Sequence, residues 1–115
     1  MQEQQQPQST DVPLATTNNT IFIYKKENDD QGKKYRVTPS PKLVELGTVL
    51  HFRNLTELPA TVDALNVLEP DHLDLPAGQS RPAKVVGATG KSHPYKVKVG
   101  TEWAHGSSDP DLIIP

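Results

Sequence analysis

Four histidines, His51, His72, His93 and His105, are the side chains best suited to hold a metal or move a proton near neutral pH. No two of them are spaced as His-x-His or His-x-x-x-His. No single strand or helix turn would therefore present a pair of imidazoles to one ion, and four unrelated surface histidines is the plain reading. The chain has no cysteine, which removes disulfides, thiolate metal sites and cysteine nucleophiles together. What is left for metal is histidine with carboxylate, which suits copper(II) or zinc. His93 and His105 are the candidates, each needing a partner from another loop. Nucleophilic catalysis has little to work with. Ser80, Ser107 and Ser108 lack a nucleophile-elbow context. His105, Ser107 and Asp109 alternate within one loop, and local spacing of that kind does not deliver triad geometry, which draws on distant segments. No catalytic residue is assigned. Glu102, Asp109 and Asp111 form a small acidic group, short of the ordered oxygen ligands calcium takes.

Trp103 is the only tryptophan, in the loop-like stretch Gly100-Thr101-Glu102-Trp103-Ala104-His105. It is either an aromatic anchor for a partner, together with His105, or a plug closing one end of the core; the plug is the commoner fate of a lone Trp. Lys84, Lys91, Lys96 and Lys98 could form a basic stripe that steers an acidic partner. The more ordinary role for such lysines is to protect an exposed sheet from edge pairing. Asn18-Asn19-Thr20 and Asn54-Leu55-Thr56 match the glycosylation sequon, a frequent chance match.

These residues need a scaffold, and 115 residues suffice for one domain with a modest, mainly aliphatic core. The net charge of −2 offers no field for nucleic acid or an anionic membrane. No apolar run reaches the roughly 20 residues of a membrane span. Met1 is followed by Gln2-Glu3-Gln4-Gln5-Gln6, which is no signal peptide. The expected identity is a mature periplasmic or extracellular fragment with an added Met. Residues 1–19 are polar and rich in Gln, Thr and Asn, which predicts a flexible N-terminal tail, a possible membrane tether.

From Thr20 onward strand signals recur at roughly 8–12-residue spacing. Thr20–Tyr24 and Tyr35–Thr38 are β-branched and aromatic, flanking a charged excursion with the turn signal Asp29-Asp30-Gln31-Gly32. In Thr48–Asn54, Leu50 and Phe52 face one way while Val49, His51 and Arg53 face the other. Ala60–Val67 reads as a further strand, and His72 as part of a polar turn beside Asp71. Leu73–Leu75, Ala83–Val86, Tyr95–Val99 and Asp111–Ile114 complete about seven or eight strands in an all-β, two-sheet Greek-key sandwich.

The order of these motifs carries a resemblance. Pro41-Lys42-Leu43-Val44-Glu45-Leu46-Gly47 leads into the strand ending at Asn54, followed by the turn in Leu75-Pro76-Ala77-Gly78-Gln79-Ser80. The strand Tyr95–Val99 and the closing Asp109–Ile114 come next. Residues 20–115 in this order resemble the cupredoxin family. The resemblance implies a cupredoxin-like β-sandwich and points to where the family's blue-copper ligands, two imidazoles, a thiolate and an axial methionine, would stand. Ala60 occupies the place of the first imidazole and Val99 that of the thiolate; His105 is near the second imidazole, at the sandwich end where ligands converge. The only Met is Met1. The expectation is a non-catalytic binding or structural module with no type-1 copper and no cofactor, meeting a protein or glycan partner. Alternatives are a metal-handling protein centred on His105, and one domain of a larger oxidase-like assembly.

Overall fold

A computed structural model describes residues 19–26, 35–105 and 109–115. All of the expected tail but Asn19, the Asp29–Gly32 turn and the sequon asparagine Asn18 lie outside these residues. Among the described residues there is no helix, and so none long and apolar enough to cross a membrane.

The strands are β1 (Thr20–Lys25), β2 (Tyr35–Thr38), β3 (Lys42–Leu43), β4 (Val49–Asn54), β5 (Ala60–Asp63) and β6 (Leu68–Glu69). They continue as β7 (His72–Leu75), β8 (Ser80–Val85), β9 (Lys91–Pro94), β10 (Lys96–Val99), β11 (Glu102–Trp103) and β12 (Asp111–Ile114). Among the described residues twelve segments stand where about seven or eight were expected, because three are only two residues long and the run Lys91–Val99, expected as strand only from Tyr95, is parted at that residue. One layer is the sheet β2-β1-β4-β8-β6. The other consists of β11-β10-β5-β7 and β3-β12-β9, joined end to end through that parted run.

Alternation explains each layer. In β4, Leu50, Phe52 and Asn54 are buried, while Val49, His51 and Arg53 turn outward as the sequence pattern predicts. In β10, Val97 and Val99 are buried, whereas Lys96 and Lys98 face out. The inward side chains of the two layers meet in one core, with Ile21, Ile23, Leu50 and Phe52 opposed by Val62, Leu75, Val97, Leu112 and Ile114. Burying a ring such as Phe52 contributes roughly 1.5–3 kcal/mol. Its edge-to-face contact with Tyr95, at a centroid distance of 5.9 Å, ties the layers at mid-core.

β1 and β2 are antiparallel neighbours, with Lys25 opposite Tyr35. β1 also runs parallel to β4, and β3 parallel to β12, so crossovers separate neighbours as a Greek key requires. The expected strand Ala60–Val67 is shorter than its pattern. It ends at Asp63, after which the Ala64 carbonyl accepts from the N–H groups of Val67 and Leu68 and the chain turns. Asn66, at φ 65°, supplies the left-handed residue this turn uses.

Candidate binding site

The first region to consider is the end of the sandwich to which the cupredoxin resemblance directs attention. Ala60 and Val99 are register partners across β5 and β10. The positions implied for an imidazole and a thiolate are therefore neighbours, but they carry a methyl and an isopropyl group, both buried. Neither offers a lone pair to a metal. Beside them Asn54 is fully buried and completely hydrogen-bonded. Its Nδ2 donates to the carbonyls of Leu58 (2.7 Å) and Leu75 (2.9 Å). Its Oδ1 accepts from the N–H (2.9 Å) and hydroxyl (2.7 Å) of Thr56. Two donors and two acceptor sites are thus satisfied, and the β4–β5 loop is pinned to the turn after β7. The sequon match at Asn54 is structural, because its amide nitrogen is spent inside the fold.

His105 does not reach this end. The chain reverses after Val99 through Gly100-Thr101, and β11 runs back along β10 with Glu102 opposite Val99 and Trp103 opposite Lys98. Gly100 has φ 59°, the conformation a type II′ turn places at its first central position. Ala104 then bonds to the Val97 carbonyl, level with the middle of the strand. From there His105 clasps the edge of the other layer. Its N–H donates to the Tyr35 carbonyl (2.9 Å), and its Nε2 accepts from the Val37 N–H (3.0 Å). At φ 64° it is one of two left-handed residues other than glycine among those described. His93 is half-buried on β9, with Nε2 donating to the Ala88 carbonyl (2.8 Å) and packing over Gly87. A Cβ at Gly87 would come within 3.2 Å of that nitrogen and 2.9 Å of Ile114. The fold does not bring His93 and His105 together: His93 stands four residues before Val97 on one extended run, roughly 13 Å away at about 3.3 Å per residue. Among the described residues no group of three His, Cys, Asp or Glu side chains is arranged to hold a metal ion. The residues present do not fit a blue-copper centre.

The chemistry the sequence reading missed lies on the outer face of the same sheet. Pairing places Trp103, Lys98, Thr61 and Asp74 in one row across β11, β10, β5 and β7. The adjacent row is Lys96, Asp63 and His72. Trp103 is 48% exposed, so it is no core plug. The tight turn at Gly100 sets it one residue pair in from the tip of a hairpin, opposite Lys98, and the strand pleat sends it outward. The ammonium groups of Lys96 and Lys98 lie 5.6 and 5.3 Å from the centre of its ring. Each is a cation–π contact worth roughly 0.5–1 kcal/mol at an exposed site. Lys96 also pairs with Asp109 at 3.1 Å. Lys96 and Lys98 do not guard an edge, because β10 lies between β11 and β5, whereas Lys91 is on the edge strand β9. Nor is there one basic stripe: Lys84 is on β8 in the other layer and Lys91 is on β9.

His72 opens β7 instead of sitting in a turn. Its Nδ1 is 2.6 Å from Asp63 and its Nε2 is 3.0 Å from Asp74. Both bonds can be donated at once only by the imidazolium. The hydrogen bond to Asp63, then that to Asp74, raises its pKa above the ordinary value of 6.5. Between the lysine side and this aspartate side runs a groove of about 560 Å³, lined by Thr61 and Pro76 as well as by Trp103, Lys98, Asp63 and Asp74.

Sequence signals for both features existed. Val-Gly-Thr-Glu between alternating residues is a two-residue hairpin pattern. Extending Leu73-Asp74-Leu75 back by one residue puts His72 on the face of Asp74. That Asp63 completes the clamp depends on β5–β7 register, which no local pattern encodes.

Strand order, the two packed layers and the position of the Asn54 loop define a cupredoxin-like β-sandwich without a cysteine. The fold is similar to a solved structure described as a novel purple cupredoxin from Nitrosopumilus maritimus, with a TM-score of 0.54 over 84% of this chain and 98% of that one. Identity between the two is 17%, so the likeness is one of fold. No family model and no curated protein matches the sequence.

Proposed function

We propose that the protein is a non-catalytic binding module. Its ligand face is the outer surface of β11-β10-β5-β7, and it acts in the periplasm or outside the cell without a cofactor. The observation that carries the reading is Trp103, held half-exposed by its own hairpin and flanked by two ammonium groups. An indole so placed contributes little to the core, yet it is the side chain most enriched where binding energy concentrates. The groove beside it, at about 560 Å³, falls within the range of small-ligand sites. The aliphatic pair Ala60–Val99 and the engagement of both His93 and His105 by backbone groups favour this reading over metal handling. The location follows the resemblance alone, since copper-fold domains usually act outside the cytosol. The test is to immobilise wild type and Trp103→Ala and pass envelope and extracellular extracts over both. A species retained by wild type and lost from the variant is the expected result. Identical retention on the two surfaces would overturn the assignment of this face.

A further inference from the structure

The groove's chemistry narrows its ligand. Its polar lining comes from one donor-only group, Lys98, two acceptor-only carboxylates, Asp63 and Asp74, and one hydroxyl that does both, Thr61. Its apolar lining comes from the Trp103 indole and Pro76. The two signs of charge stand on opposite sides. The Lys98 ammonium leans toward Trp103 at one side, while the carboxylates converge on His72 at the other. The rows are three strand spacings wide, about 14 Å from β11 to β7 at about 4.8 Å per spacing. The clamp Asp63–His72–Asp74 carries about one net negative charge when the imidazole is protonated, Lys98 carries one positive charge, and Lys96 is offset by Asp109 at 3.1 Å. The face is therefore close to neutral and has no net attraction for a polyanion or a polycation.

We propose that this groove binds a neutral oligosaccharide, which sets one sugar ring against Trp103 and directs its hydroxyls to Lys98, Thr61 and Asp74. A sugar hydroxyl both donates and accepts, so it can be satisfied by a wall of ammonium on one side and by carboxylates on the other. The C–H face of a pyranose matches the flat apolar body of an indole. An acidic peptide would gain Lys98 but meet Asp63 and Asp74; a basic one would meet Lys98. Charge balance thus favours the uncharged polyol over either peptide. The inference rests on the reading of the Trp103 face as the binding face, and names what that face takes.

The experiment titrates the whole protein with neutral hexasaccharides of β-linked glucose, N-acetylglucosamine, xylose and mannose, following Trp103 emission and calorimetric heat. Polyglutamate and polylysine serve as charged probes. At least one hexasaccharide is expected to bind saturably, with affinity at least about tenfold weaker in Trp103→Ala. The same sugar should bind several-fold more weakly to Asp74→Asn and to Thr61→Val, with circular dichroism spectra unchanged. Two variants at different positions keep the result independent of one that fails to fold. Binding of polyglutamate or polylysine but of no hexasaccharide would overturn the sugar assignment and leave the binding face standing. A concentration-dependent dimer in sedimentation, lost in Trp103→Ala, with no sugar bound, would instead make this face a contact between copies. If no probe binds and Trp103→Ala changes no retention from extracts, the sugar and the binding face both fall.

Discussion

Strands β5 and β10 carry two unlike regions back to back. Their inward residues, Ala60, Val62, Val97 and Val99, are aliphatic, buried and adjacent to the closed hydrogen-bond knot at Asn54. Their outward residues, Thr61, Asp63, Lys96 and Lys98, are polar or charged and stand beside Trp103 and His72. The inward end is where the resemblance expects metal chemistry, and here it is given to packing. The outward face, where the ordinary expectation is a solvated surface, holds the indole, the ammonium groups and the carboxylate clamp. The contrast shows how a strand's two-residue period separates what holds a sheet together from what it offers to a ligand.

The largest expected effect comes from opening the inward knot. Asn54→Leu removes the side-chain donor to the Leu75 carbonyl and the acceptor of the Thr56 N–H in a buried place, leaving the Leu58 carbonyl only the Thr56 hydroxyl, and should lower stability by about 3 kcal/mol in urea unfolding. A loss within error would mean water can replace the knot. Restoring ligand types at the same end tests how full it is. Val99→Cys nearly conserves volume and should cost less than about 1.5 kcal/mol, whereas Ala60→His overpacks and should cost about 1–3 kcal/mol. Equal thermal midpoints for the two would show spare room, and so weaken the contrast. His105→Ala removes the acceptor of the Val37 N–H and should cost about 1–2 kcal/mol, read from the same unfolding curves. No change there would show the clasp to be ornamental and the imidazole available for other work.

The smallest effect belongs to the outward face. His72 has a raised pKa in the fold, so its stabilisation is fully present below the unfolded value and fades as pH rises through the folded one. His72→Gln should therefore flatten a shallow decline in stability that begins near pH 6.5 and extends above it. The clamp is solvent-exposed, which keeps the effect slight. A steeper decline in the variant than in wild type would contradict the clamp.

Much of the sandwich is legible in the sequence, because alternation depends only on which residues leave water. Leu50 and Phe52 inward, His51 outward, and the Tyr95–Val99 pattern all follow from that rule. The site was less so, for three physical reasons. The fate of Trp103 turns on a two-residue loop at Gly100-Thr101, which a loop-like composition around it masks. The partnership of His72 with Asp63 is set by strand pairing between segments nine residues apart. The triplet at Asn54 looks like a surface motif, yet burial decides its role, and burial is a property of the whole fold. Ala60 and Val99, the positions the resemblance implies for an imidazole and the thiolate, are register neighbours in the fold.

The run Lys91–Val99 has a consequence for how the molecule comes apart. Its first half pairs with β12 and its second with β5 and β11, and the Tyr95 N–H between them bonds to the Pro110 carbonyl, so the strand is not slack at its break. Neither half of that layer can swing away without dragging on the other. A sheet split into two by its hydrogen-bond pattern is thereby tied into one unit, and the groove on its outer face is mounted on that unit.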